Sequence, residues 1–269
     1  MMVKKTTSQP KKKYLCTSMI LPMVAKPIGE DNPHPPLISQ LVFGEMVGVV
    51  GDDKETMWVE VMGDDGYKGF VLRQFLTDHD MWLRGDEYIL ARHMITIYHD
   101  ADIKSAPLQL LFYPARVRVV GKKNNFFELA SGGYVLSSHL VPIATKQDPI
   151  AIAKMMLGAV YLWGGRSFGG VDCSGLVQIC YKASGINLPR DSHLQLDVLK
   201  HIIKAEDRQM GDLVFWSGHV AIVLDDDNVI HATAHDMMVV IEHYGELQKR
   251  LSQPASAGGV EFYGLRRVD

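Results

Sequence analysis

The sequence predicts an α+β protein in which small β units precede a domain of helices followed by strands. Three observations carry this. Short β-rich runs divided by Gly/Asp turns fill residues 41–76, the same grammar returns over 92–143, and beyond Thr145 helical patterns come first and strands afterwards. A chain of 269 residues is long for one core, which agrees with two or three compact units.

The first stretch with any pattern, Tyr14 to Ala25, follows the lysines between Lys4 and Lys13. It reads either as a weak export signal or as the first strand of a β unit. Cys16, Thr17, Ser18 and Pro22 interrupt it and no small-x-small site follows, which favours the strand and a cytoplasmic protein. Strands are then expected over Glu45–Val50, Met57–Met62 and Gly69–Leu72, joined by turns at Gly51-Asp52-Asp53 and Gly63-Asp64-Asp65-Gly66. In the second unit Ile95–Tyr98, Ala115–Val120 and Phe126–Leu129 are strand-like, and Gly132-Gly133 turns into Tyr134–Leu136. The segments Gly66-Tyr67-Lys68-Gly69-Phe70-Val71 and Gly133-Tyr134-Val135-Leu136 take equivalent places, as in a repeated small β-barrel. The two units are placed at 14–80 and 90–145, and the last domain at 148–269.

In that last domain helices are expected over Ile150–Leu157, Ser174–Ser184 (ended by Gly185) and Ser192–Leu199. Strands follow at Asp212–Trp216, His219–Leu224, Asn228–Thr233, Met237–Ile241 and Phe262–Leu265.

Composition narrows the function. Apolar residues at 47% and charged residues at 22% are ordinary for a globular protein, and a net charge of -3 gives a nucleic-acid partner no support. The run Lys11-Lys12-Lys13 reads as a solvated tail. Cys16, Cys173 and Cys180 cannot all pair, so a free thiol and a reducing compartment are favoured. No apolar run reaches the roughly 20 residues that span a membrane. No cofactor and no membrane partner is expected, and a monomer is.

Cys173 stands where a helix begins, after the close-packing glycines Gly164 and Gly165. There the positive end of the helix dipole would favour a nucleophilic thiolate. A small buried residue is the competing reading, and position alone leaves the two even. Cys180 is seven residues further along the same helix, with no helix terminus beside it, and reads as structural. A nucleophilic thiol needs a base and a group to orient that base. His219 and His231 lie on two apolar strands around Asp225-Asp226-Asp227. A three-residue turn there sets Ala221 opposite His231 and puts both imidazoles on one face; an even turn would separate them. A zinc site of Cys173, His219 and His231 is a weaker alternative, because no paired cysteines or HExxH-like run accompanies it.

These segments carry a resemblance. Tyr161-Leu162-Trp163-Gly164-Gly165, Asp172-Cys173-Ser174-Gly175-Leu176-Val177 and Leu188-Pro189-Arg190-Asp191-Ser192 are followed by Gly211-Asp212-Leu213-Val214-Phe215-Trp216, Gly218-His219-Val220-Ala221-Ile222-Val223 and Ile230-His231-Ala232. In that order and spacing the chain resembles the NlpC/P60 family of papain-like cell-wall peptidases. The resemblance implies Cys173 as nucleophile, His219 as base, His231 as its orienter, and the Cys173 N–H with the Tyr161 hydroxyl as oxyanion donors. The two β units resemble bacterial SH3 domains, with Phe70 where that pattern usually has Trp. Two such units before this domain resemble γ-D-glutamyl-L-diamino acid endopeptidases of murein-peptide recycling, which take tri- or tetrapeptides with a free N-terminal L-alanine. That implies substrate contacts from Asp172, Ser174, Asp191 and Ser192, with Asp191 or Glu45 pairing with the α-ammonium and Ser174 and Ser192 donating to a carboxylate. Glu45 and Tyr67 are the candidates from the first unit; without the resemblance they are a solvated strand charge and a turn aromatic. An exported hydrolase acting on intact wall and a non-catalytic wall-binding module are the alternatives.

Overall fold

The computed structural model describes residues 12–29, 31–51, 55–78, 84–252 and 260–269. Lys4 to Lys11, the turn residues Asp52 and Asp53, and residues 79–80 and 253–259 of the expected domains lie outside the described residues.

Seven short strands build the first unit: β1 (Lys13–Cys16), β2 (Ile20–Val24), β3 (Leu37–Val42), β4 (Met46–Gly51), β5 (Trp58–Met62), β6 (Lys68–Leu72) and β7 (Leu76–Asp78). They pair in the order β3-β2-β6-β5-β4-β1-β7. The second unit has β8 (Asp86–Leu90), β9 (Met94–Tyr98), β10 (Pro107–Phe112), β11 (Arg116–Lys123), β12 (Phe126–Leu129), β13 (Tyr134–Leu136) and β14 (Leu140–Pro142). Its order, β10-β9-β13-β12-β11-β8-β14, repeats the first strand for strand. A 3-10 turn precedes the last strand of each, at Arg73–Phe75 and at Ser137–His139. The two matched motifs fall on the equivalent strands β6 and β13, which follow Gly66 (φ 79) and Gly133 (φ 82). Period-two alternation explains the strands that were legible: Val59 and Val61 of β5, and Ile95 and Ile97 of β9, point into their cores while their neighbours do not.

The N-terminal stretch corrects the single expected strand. It is two strands, β1 and β2, because Ser18 Oγ donates to the Ile20 carbonyl (2.9 Å) and turns the chain between them. Cys16, Leu21, Met23 and Val24 are buried in the core of this unit. The lysine run is no loose tail over its described part, since Lys12 pairs with Asp78 at 2.5 Å and Lys13 opens β1.

The C-terminal domain contains α1 (Pro149–Met155), the short pair β15 (Arg166–Ser167) and β16 (Gly170–Val171), α2 (Cys173–Ala183), α3 (Ser192–Val198), β17 (His201–Ile203), β18 (Leu213–Trp216), β19 (His219–Val223), β20 (Asn228–Thr233), β21 (Met238–His243), α4 (Tyr244–Ser252) and β22 (Phe262–Arg267). Its sheet runs β17-β22-β18-β19-β20-β21. Both faces are covered. Phe215, Val220, Ile222, Ile230 and Val239 pack with α1, α2 and part of the second β unit, while Val214, Ala221, Val223 and Val229 form another core with Leu247 of α4. Covering on both sides is why β18, β19 and β20 read as continuous apolar runs.

Candidate active site

The site is built around the start of α2. Asp172 occupies the N-cap in an extended conformation, and its Oδ1 accepts the Gly175 N–H at 2.7 Å. Its Oδ2 accepts the Gly164 N–H at 2.8 Å. The Arg190 guanidinium, 2% exposed, grips both oxygens at 2.9 and 2.6 Å and also donates to the Gly165 carbonyl. One carboxylate thus ties the Tyr161–Gly165 loop, the helix start and the approach to α3 together. The glycines of the motif follow from this closeness: a Cβ at Gly175 would meet the Gly165 carbonyl oxygen at 2.2 Å.

Cys173 is the first residue of α2, so its backbone N–H has no partner within the helix. Its Sγ is 3.9 Å from the Gly218 carbonyl oxygen, against the start of β19. The turn between β19 and β20 has the odd length expected: Leu224 N–H donates to Asn228, and Ile222 faces Ile230. In that register Ala221 lies opposite His231. His219 Nε2 and His231 Nδ1 are 2.8 Å apart. His231, fully buried, continues through Nε2 to Glu242 Oε2 at 3.1 Å, and Glu242 is held by Arg250 at 3.2 and 2.6 Å.

Burial acts on the thiol against the helix dipole. Desolvation pushes Cys173 up to about 12, with the Asp172 charge adding to it, although nearby backbone N–H groups pull the other way. Burial thus works against the thiolate that the helix terminus favours. Burial also pushes His219 down to about 3, with His231 reinforcing it, and His231 down to about 4. The same loss of water favours the neutral form of both the thiol and the imidazoles. Tyr161 is raised to about 12, first by burial and then by the nearby Cys173 and Asp172, so its hydroxyl keeps the proton an oxyanion donor needs.

Both depressed histidines make folding pH-dependent. The unfolded chain binds their protons near the ordinary value of 6.5, whereas the folded chain does so only near 4 and 3. Their contribution is fully present above pH 6.5 and is lost as pH falls through that window. The urea midpoint is expected to fall between pH 7.5 and pH 5, less steeply in His231→Gln. A midpoint that rises on acidification contradicts this assignment.

The substrate residues read from the sequence separate into two groups. Asp191 and Tyr67 come together, with the Tyr67 hydroxyl donating to Asp191 Oδ1 at 3.3 Å. Asp191 makes no side-chain cap to its own helix, and Ser192 opens α3 beside it, half-buried. The others are differently engaged. Asp172 is saturated by the helix cap and Arg190, and Ser174 Oγ donates to Asp172 Oδ1 at 3.2 Å while accepting from Arg190, so neither is free for substrate. Glu45 is no solvated charge: it is 4% exposed and paired with buried Arg166 at 2.5 Å, so it is not free for an ammonium group. That pair, the Gln40 Oε1 that accepts Arg166 N–H, and Asp65 on Gln178 at 2.8 Å dock the first β unit onto the C-terminal domain.

Sequence reasoning passed over Glu242, Arg250 and the role of Arg190. The pairing of β20 with β21 held the signal for Glu242, since Val229 faces it and His231 is two residues on, on the same face. Among the described residues no cluster of three or more His, Cys, Asp or Glu could hold a metal ion. The two histidines bond each other instead of converging on one point.

Comparison with known proteins agrees with this geometry. Residues 158–255 match the model of the NlpC/P60 family. A dipeptidyl-peptidase 6 from Lysinibacillus sphaericus is 24% identical over 80% of this chain and 87% of its own length. A gamma-D-glutamyl-L-lysine dipeptidyl-peptidase from Bacillus cereus is 28% identical over 76% of this chain and 70% of its own. The crystal structure of an NlpC/P60 family protein from Bacillus cereus superposes with a TM-score of 0.74 at 22% identity, covering 95% of this chain and 99% of that one, and so shares its fold. Residues 158–255, which carry Cys173, His219 and His231, are thus similar to the NlpC/P60 family over the stretch that holds the candidate site.

Proposed function

We propose that the protein is a cysteine peptidase cleaving the γ-D-glutamyl–L-diamino acid bond of murein tri- and tetrapeptides with a free N-terminal L-alanine. The observation that carries the reading is the placement of Cys173 at a helix N-terminus against the strand that begins with the histidine-paired His219. Its Nε2 is used on His231, which leaves Nδ1 to take the thiol proton. The thiolate so formed attacks the scissile carbonyl, and the Cys173 N–H and the Tyr161 hydroxyl receive the developing oxyanion. His219 then protonates the leaving α-amine of the diamino acid. Water hydrolyses the thioester with His219 as base.

Asp191, with Tyr67 beside it, closes one end of the groove with negative charge and recognises the substrate's α-ammonium. Because Tyr67 comes from the first β unit, that unit acts as a wall at the N-terminal end of the peptide, and both β units take the role of bacterial SH3 domains. Lysine or diaminopimelate follows the glutamate. Three free thiols, Cys16, Cys173 and Cys180, favour a cytoplasmic setting, checked by cell fractionation.

Incubation with L-Ala-γ-D-Glu-L-Lys and its diaminopimelate counterpart, read by mass spectrometry, is expected to release L-Ala-γ-D-Glu. N-acetylating the peptide removes the cation from Asp191 and is expected to lower kcat/KM about tenfold to hundredfold, the worth of a charge-assisted hydrogen bond. Equal rates on both peptides remove Asp191 from the reading. Cleavage of intact peptidoglycan without cleavage of either peptide favours the wall-acting alternative.

A further inference from the structure

The histidine pair does not end the hydrogen-bonded chain that begins at His219. We propose that Glu242, held by Arg250, is a positioning residue that sets the tautomers of His231 and His219 and thereby leaves His219 Nδ1 unprotonated toward Cys173. The proposal rests on the reading of Cys173 and His219 as the reacting pair.

The reasoning is a donor and acceptor count. A carboxylate paired with a guanidinium has no proton to give, so at the 3.1 Å contact with Glu242 Oε2 it is His231 Nε2 that donates. A neutral His231 with its proton on Nε2 has a bare Nδ1. At the 2.8 Å contact with His219 that nitrogen must accept, so His219 Nε2 carries the hydrogen. The remaining nitrogen of His219, Nδ1, is then a lone pair. The opposite tautomer of His231 would set the Nδ1 hydrogen against His219 Nε2 and leave its own Nε2 lone pair facing a carboxylate. It would also force the His219 hydrogen onto Nδ1, where it cannot take a proton from a thiol.

The surroundings enforce the count. His231 is fully buried, so bulk solvent does not reach it as a substitute acceptor. Glu242 reaches it from the neighbouring strand β21, and Arg250 comes from α4, the helix that directly follows that strand. Arg250 binds both carboxylate oxygens, which holds Glu242 with Oε2 toward the imidazole. An ion pair between β21 and α4 that served only to hold the helix would not need one oxygen on a buried histidine.

The test begins with the wild-type protein. Nitrogen-15 NMR of the imidazoles is expected to show His231 and His219 both protonated on Nε2; His231 protonated on Nδ1 overturns the proposal without any reference to turnover. Glu242→Met is then expected to lower kcat about tenfold or more with KM little changed, as for loss of an orienting partner, and to mix the two His231 tautomers. Arg250→Met breaks the same ion pair but keeps the acceptor, and is expected to lower kcat far less. Equal losses in the two variants, or a lowered Tm with kcat unchanged in both, identify a purely structural pair and overturn the proposal. If no peptide is turned over by the wild type, the functional reading fails while the NMR result still decides the role of Glu242.

Discussion

Cys173→Ala is expected to reduce turnover of the murein peptide by about four orders of magnitude or more, because nucleophile and base act as one unit and no other group forms the thioester. The fold is expected to survive. Cys173 is buried, but the change removes only one sulfur atom, and the thiol's contact with the Gly218 carbonyl is a long one of 3.9 Å. A shift of about 1 kcal/mol is the scale for so small a deletion. Mass spectrometry of products and urea denaturation of the same preparation separate the outcomes. Retained turnover removes Cys173 as nucleophile; lost turnover with a collapsed midpoint shows a structural role instead.

Arg190→Met is expected to destabilise the protein by about 3–5 kcal/mol, since it strands a carboxylate that is itself buried. Asp172 would keep its bonds to Gly164 and Gly175 but lose the guanidinium on both oxygens. The Gly165 carbonyl and Ser174 Oγ would lose a donor as well. Turnover falls too, because Asp172 places the residue that follows it, Cys173. Adding Asp172→Asn to Arg190→Met removes the unpaired charge while keeping a capping side chain, and is expected to restore much of the stability. An Arg190→Met variant within 1 kcal/mol of wild type in denaturation, on that roughly threefold-smaller scale, shows that the pair does not govern the site.

Several parts of this site were readable from local pattern alone. A helix beginning at Cys173 follows from Asp172 as a capping residue and from the apolar spacing that comes after it. The alternation of β19 and β20 around an acidic turn placed His219 and His231 on one face, and the observed register has them there. Strands such as β3 were not readable. Ser39 and Gln40 are buried there because that strand faces Arg166 and Ser167 of the catalytic domain, so the usual alternation of apolar and polar residues is absent. Glu45 misled for the same reason, as its charge answers Arg166, a residue 121 positions away.

What the sequence determined by itself is what repeats or caps over a few residues: the two β units, the helix starting at Cys173, the paired histidine strands and the family motifs. These depend on backbone periodicity and nearest-neighbour hydrogen bonding, which a linear pattern records. Tertiary structure alone decided the state of the thiol, the partner of Asp172, the diversion of Glu45 and the meeting of Tyr67 with Asp191 across 124 residues. Those depend on how much water each group loses and which charge arrives beside it, and both are settled only when distant segments pack together.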